Sequence, residues 1–211
     1  MISTMFGGLS RRGLYLITPD LVDTAVLVAR LRVALGGRPA LVQYRNKVLQ
    51  GDAATEQAAQ VVALCREAGV QCVVNDCVER ALAVDADGVH LGRHDGDLSG
   101  VRRRIGSGRM LGVSCYDDFG RAEDAVAVGA DYVAFGAMFP SRTKPDAVAA
   151  PVPLLTRARE LGVAVAAIGG ITLDNAAPLV DAGADLLAVI SDVFEATDPA
   201  ARAAGYRALY D

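Results

Sequence analysis

Short apolar runs of strand length recur along this chain, with Ala-rich stretches of helix length between them. This alternation limits the folds open to it more than any other feature. The runs are LYLIT at 14–18, ALVQY at 40–44, QCVVN at 71–75, DGVHL at 87–91, RMLGVS at 109–114, DYVAFG at 131–136, VAVAAIG at 163–169 and LLAVIS at 186–191, eight in all. Several are apolar at successive rather than alternate positions, as a parallel strand covered on both faces requires. Helical stretches include 21–35, 54–69, 118–129 and 172–183. Gly69, Gly129, Gly162 and Gly183 each close a helical stretch, where left-handed backbone belongs. Thr172 and Asp174 are placed to cap the start of one. Eight β–α units in 211 residues predict an α/β protein, a single compact (β/α)8 TIM barrel over 1–211 with 1–12 as an N-terminal extension. An open doubly wound sheet is the alternative, but no GxGxxG follows the first run.

Composition narrows the partners. With 21 basic against 25 acidic residues the net charge is −4, which argues against wholesale binding to nucleic acid or to an anionic membrane. Six Tyr, five Phe and no Trp make an aliphatic core and leave few stacking platforms for single strands. The cysteines, Cys65, Cys72, Cys77 and Cys115, form no CxxC pair, and His90 and His94 are the only histidines, so no zinc fingerprint exists. Reduced, mostly buried thiols are expected. The first residues, MISTMFGGLSRRG, lack a signal peptide's apolar stretch, and no apolar run approaches the ~18 residues of a membrane span. The expectation is a cytoplasmic protein acting on small molecules, with a homo-oligomer left open.

A barrel's active site lies at the C-terminal ends of its strands, so the residues after each run are the ones to inspect. Arg45, Lys47 and Lys144 are cations at the ends of different runs, a clamp suited to phosphate or diphosphate oxygens. Asp76 and Asp95 end neighbouring runs and suit Mg²⁺, which takes few protein carboxylates and keeps water and substrate phosphates. Equally, Asp76 suits a helix cap. Gly169-Gly170 after the seventh run and Ser191 after the eighth match a common barrel phosphate cradle, although a tight turn also wants glycine. The segment 138–150 is long for its place and is the candidate lid. His90 and His94 straddle a strand end and read as buried or rim histidines. Arg102-Arg103-Arg104 reads as a solvated helix surface. Cys115 has no base partner in the pattern.

LYLITPD, VQYRNK, VVNDCVERALAVDADGVHLGRHD, LGVSCYD, DYVAFGAMFPSRTKPDA, AIGGITLDNAAPLVDAGAD and AVISDVF together resemble the thiamine phosphate synthase family, from about residue 14 to 200 and in the family's order. The resemblance implies a transferase that condenses 4-amino-2-methyl-5-hydroxymethylpyrimidine diphosphate with 4-methyl-5-(2-phosphoethyl)thiazole, or its carboxylated form, giving thiamine phosphate and diphosphate. It implies that Gln43 and Ser114 meet the pyrimidine and that Arg45, Lys47, Asn75 and Lys144 hold the diphosphate. Asp76 and Asp95 would bind Mg²⁺. Ser141, Thr143, Gly170, Ile190 and Ser191 would hold the thiazole phosphate, and Lys144, Ser114 and Arg45 would be the catalytic groups. Many members carry Glu where Asn46 stands, GAMF replaces the commoner GPxF, and Arg142 lies inside the S-x-T-K loop; tuning rather than loss is expected. The alternatives are a thiazole tautomerase-like paralogue and a non-catalytic sensor of a phosphate ligand.

Overall fold

The structure is a computed structural model that describes residue 9 and residues 12–140 and 149–211. Eight strands, Gly13–Ile17 (β1), Leu41–Tyr44 (β2), Gln71–Asn75 (β3), Gly88–Leu91 (β4), Met110–Tyr116 (β5), Tyr132–Phe135 (β6), Ala164–Ile168 (β7) and Leu186–Val189 (β8), close into a barrel in sequence order. Every pairing is parallel, including β8 back to β1. Helices Thr24–Leu35 (α1), Gly51–Glu67 (α2), Val78–Ala83 (α3), Leu98–Ile105 (α4), Phe119–Ala127 (α5), Pro153–Ala158 (α6), Ala177–Asp181 (α7), Ser191–Phe194 (α8) and Pro199–Ala208 (α9) follow the strands. This is the TIM barrel that the alternation predicts.

Two cores result. Outward-facing strand residues such as Val42, Val74, Val89, Val133 and Val165 pack beneath the helices. Inward-facing ones, among them Leu41, Val73, Met110, Ala164 and Leu186, fill the barrel together with Leu9. Successive apolar residues in a run therefore serve opposite faces, both buried.

A repeated Ala-Asp step sets the register of alternate strands. Ala86-Asp87, Ala130-Asp131 and Ala184-Asp185 stand immediately before β4, β6 and β8. Each Asp carboxylate accepts a backbone N–H from the preceding strand: Cys72 at 2.7 Å, Leu111 at 2.7 Å and Val165 at 2.9 Å. Each Asp N–H in turn donates to the carbonyl of that same residue. The Ala side chains are buried, where anything larger would push the helix off the sheet.

Arg102 departs from the solvated reading of its arginine run. Its guanidinium pairs with Asp131 at 2.6 Å and donates to the carbonyls of Gly106, Arg109 and Gly129. It lies at the end of α4 that faces the bottom turns, where carbonyls lack helical partners. Arg103 and Arg104 stay exposed. Asp131→Ala leaves the Leu111 N–H without its side-chain acceptor and the Arg102 charge without its anionic partner. It is expected to cost about 2–3 kcal/mol, against about 1–2 kcal/mol for Asp87→Ala, where only a backbone N–H is orphaned. Urea unfolding of the two variants checks the order.

The glycines at 69, 129, 162 and 183 have φ of 65°, 90°, 71° and 106°, as helix-closing positions require. Thr172 and Asp174 are not caps. The helix begins at Ala177 with Ala176 before it, and Pro178 lies in its first turn. Ahead of it, the Thr172 N–H donates to Asn175 Oδ1 at 2.8 Å and the Asn175 amide donates to the Gly170 carbonyl at 3.0 Å. That side-chain turn occupies the residues the longer helix would have used.

Candidate active site at the barrel mouth

The loop after β2 is stitched to the loop after β1. Thr18 Oγ1 donates to the Arg45 carbonyl and accepts the Arg45 N–H, both at 2.8 Å. Arg45 Nη1 reaches both oxygens of Asp20, at 3.0 and 2.8 Å, and the Lys47 N–H donates to the same carboxylate at 2.8 Å. Asp20 is a site residue that sequence reasoning did not assign; its signal was its place directly after the first run. Asn46 faces into its own loop. Its Oδ1 accepts from Val48 and Leu49, and its amide donates to the Leu21 carbonyl and to Gln57. Asn46 therefore shapes the cationic loop from within.

Asp76 follows β3 with φ 61°, a left-handed conformation tolerated by Asp and Asn far better than by most residues. It does not cap the next helix. Cys77 does, its sulfur accepting from the Arg80 N–H. The Asp76 carboxylate is thereby left to the mouth, where Lys47 donates to it. Asp95, after β4, is held by the Gly92 N–H at 2.6 Å and hydrogen-bonds to Asp76. Burial makes both carboxylates harder to ionise. At Asp76 the Lys47 ammonium and the hydrogen bond with Asp95 outweigh it and lower the pKa, whereas at Asp95 burial and its neighbour Asp76 raise it. Two neighbouring carboxylates, one eased toward ionisation and the other held back from it, offer a place for a hard cation. Among the described residues no group of three or more His, Cys, Asp or Glu gathers, so such a cation would keep most of its shell as water and substrate oxygen.

Beside this pair lies a pocket of about 350 Å³ lined by residues that include Lys47, Asn75, Asp76 and Arg80. Arg80 was missed in the sequence. It stands in the first turn of α3, and its buried Nε has no partner among the described residues. A more open recess of about 490 Å³ runs along Leu173 and the 195–202 segment; no candidate site residue lines it.

Inside the barrel, beneath the mouth, five side chains form a hydrogen-bonded chain. The Gln43 amide donates to Tyr15 Oη. Tyr15 Oη lies 2.7 Å from Tyr132 Oη, which lies 3.0 Å from His90 Nδ1. His90 Nε2 lies 2.8 Å from Ser114 Oγ. Gly112 makes room for it, since a Cβ there would stand 2.0 Å from the Tyr132 ring. Arg121 braces the open end, donating to the carbonyls of Ser114 and Gly92 at 2.8 Å each. His90 is a buried histidine, as expected.

Burial pushes the His90 pKa down to about 4 from 6.5, against the pull of Asp76. Below pH 6.5 the unfolded chain takes up this proton while the folded chain does not. Stability from His90 is therefore complete above that value and falls with pH towards about 4. The expected slope is up to about 1.4 kcal/mol per pH unit. Urea unfolding in EDTA between about pH 7.5 and about pH 5 should show a component that His90→Gln removes.

Gly170 and the Ile190-Ser191 step follow β7 and β8, side by side in the barrel. Gly170 has φ 62°, and a Cβ there would meet the Pro140 carbonyl at 2.4 Å. The loop after β6 thus lies directly on the glycine turn, so packing alone demands glycine. Ser191 is exposed at the start of α8. Ser141, Arg142, Thr143 and Lys144, with most of the 138–150 lid candidate, lie outside the described residues. Cys115 is buried and its thiol is pushed up to about 12 by that burial, so it is inert.

A family model described as thiamine monophosphate synthase matches residues 14–193. The chain belongs to this family. A thiamine-phosphate synthase of Aromatoleum aromaticum is 64% identical over 203 residues, covering 95% of this chain and 97% of the relative. One from Azoarcus sp. is 60% identical over 200 residues, covering 94% and 97%. Among solved structures, a thiamine phosphate pyrophosphorylase from Pyrococcus furiosus superposes with a TM-score of 0.84 at 32% identity, covering 96% of each chain. The family's members are transferases, and the chain is an enzyme of that class. No helix among the described residues is long and apolar enough to cross a membrane.

Proposed function

We propose that this thiamine-phosphate synthase family member joins 4-amino-2-methyl-5-hydroxymethylpyrimidine diphosphate to 4-methyl-5-(2-phosphoethyl)thiazole, or its carboxylated form, and releases thiamine phosphate and diphosphate. One observation carries the site assignment: Asp76 and Asp95 meet at the mouth with Lys47 on one of them and Asn75 and Arg80 alongside. A diphosphate needs several cationic or amide donors on different sides, and these residues supply them.

In this reading Asp76 and Asp95 hold Mg²⁺, which when bound neutralises charge on the leaving diphosphate. Lys47, Asn75 and Lys144 hold its oxygens. Arg45 joins them, or acts through Asp20 on the loop that carries Lys47. Gln43 and Ser114 orient the pyrimidine. Ser141, Thr143, Gly170, Ile190 and Ser191 hold the thiazole phosphate. The thiazole nitrogen is a neutral nucleophile that ends as a thiazolium. No proton has to be removed, so the reaction needs no activated base. The aminopyrimidine stabilises positive charge on its methylene as diphosphate departs, which favours a dissociative displacement.

Chelation tests the metal part. EDTA should lower the rate of thiamine phosphate formation by at least ~10²-fold, while the urea midpoint shifts by the equivalent of less than about 1 kcal/mol. Full activity in EDTA would remove the metal from Asp76 and Asp95. Turnover of a thiazole tautomer with no coupling of the two substrates would instead identify a tautomerase.

A further inference from the structure

The hydrogen-bonded chain inside the barrel has a direction. The Gln43 amide nitrogen can only donate, so Tyr15 Oη accepts from it. Tyr15 has one proton of its own and is buried, and its remaining neighbour among the described residues is Tyr132 Oη. If Tyr132 donated to Tyr15, the Tyr15 proton would be left in the barrel without an acceptor, which is costly. Tyr15 therefore donates to Tyr132, and Tyr132 to His90 Nδ1. That leaves the proton of the neutral ring on Nε2, which donates to Ser114 Oγ. At the ends of the chain, among the described residues, Gln43 Oε1 is left as an acceptor and the Ser114 hydroxyl proton as a donor, together with the second Gln43 amide proton and the second Ser114 lone pair.

We infer that Tyr15, Tyr132 and His90 are positioning residues that hold the Gln43 amide with Oε1 free as an acceptor and leave the Ser114 proton free to donate, and so favour a 4-aminopyrimidine over its 4-oxo counterpart. The inference rests on the proposed pyrimidine site. A 4-aminopyrimidine presents an N–H donor beside a ring-nitrogen acceptor, the complement of this pair. A 4-oxopyrimidine presents a carbonyl beside a ring N–H, the reverse. To accept it, the Gln43 amide would have to turn over, and unless the Tyr15, Tyr132 and His90 bonds reversed with it, Gln43 Oε1 would face the lone pairs of the buried Tyr15 hydroxyl. The polarity is carried from Gln43 to Ser114 by the three residues between them.

Nitrogen-15 NMR of the histidine rings tests the direction without any assay of activity. The chain has two histidines, and His94→Gln leaves the His90 signals alone. The expected result is a neutral ring protonated on Nε2; protonation on Nδ1 overturns the inference. Steady-state kinetics with the 4-amino and 4-oxo pyrimidine diphosphates, the thiazole phosphate and Mg²⁺ test the consequence. The intact protein should favour the amino form by at least ~10²-fold in kcat/KM. Tyr132→Phe should reduce that preference by ~10-fold or more and mix the His90 tautomers, with the KM for the thiazole phosphate unchanged. Tyr15→Phe breaks the chain at another link should Tyr132→Phe fail to fold. Unchanged discrimination in a folded variant overturns the inference. If no variant and no intact protein makes product, the proposed function fails, while the tautomer and calorimetric binding of the two diphosphates still decide the direction of the chain.

Discussion

Asp76→Asn should lower turnover by ~10²-fold or more, about 2.7 kcal/mol of transition-state stabilisation, with little change in stability. Asparagine is the informative substitute. Asp76 sits at φ 61°, which Asn adopts as readily, and the side chain keeps its shape, so the backbone turn between β3 and α3 is preserved. What disappears is the charge. Lys47 loses its anionic partner, and Asp95, already harder to ionise through burial and its neighbour, is left as the single carboxylate for a cation. The loss should appear mainly in kcat, because the charge matters most as diphosphate leaves, and raising Mg²⁺ should recover only part of it. A stopped assay of thiamine phosphate over a range of Mg²⁺ concentrations measures this. A variant within about threefold of the parent at every concentration would mean that the carboxylate pair serves only the loop structure.

Gly112→Ala should be strongly destabilising and should strike the interior hydrogen-bonded chain directly. The added Cβ would stand 2.0 Å from the Tyr132 ring and 2.2 Å from its oxygen. Tyr132 is fully buried, hydrogen-bonded to Tyr15 and near His90, and stacked on the His90 ring with centroids 5.5 Å apart. It has nowhere to retreat without breaking those bonds. Overpacking of this kind costs about 1–3 kcal/mol, and the stranded hydroxyls add about 1–3 kcal/mol more. The urea midpoint should fall accordingly, and residual folded protein should also be impaired through Ser114 and Gln43. An alanine variant as stable as the parent would show that the ring can move, and that the interior chain is looser than its geometry implies.

The barrel was legible because a strand buried on both faces must be apolar at consecutive positions, and eight such runs with helices between them have few other solutions. The rim was legible from the position of the strand ends: Asn75 closes β3, Lys47, Asp76 and Asp95 lie in the loops after β2, β3 and β4, and the structure brings them together. The helix start at Ala177 was not, because Asn175 and Pro178 reshape that turn through bonds that a capping pattern does not register. Nor was Arg102, whose partners Gly129 and Asp131 are remote in sequence. The interior chain was the deepest omission. Tyr15, His90 and Tyr132 lie inside runs that look like ordinary apolar strands, and only closure of the barrel sets their polar ends against one another. The Ala-Asp step was readable as a repeat at 86–87, 130–131 and 184–185, and its role became clear once each Asp was seen to hold the strand before it.

The central claim is that this mouth couples a pyrimidine diphosphate to a thiazole phosphate. Phosphorus NMR of one reaction containing the protein, Mg²⁺ and both substrates tests it most directly. The account predicts that the substrate diphosphate signals are replaced by inorganic diphosphate in step with thiamine phosphate, one for one. Unchanged spectra with a folded protein that binds both substrates would contradict it.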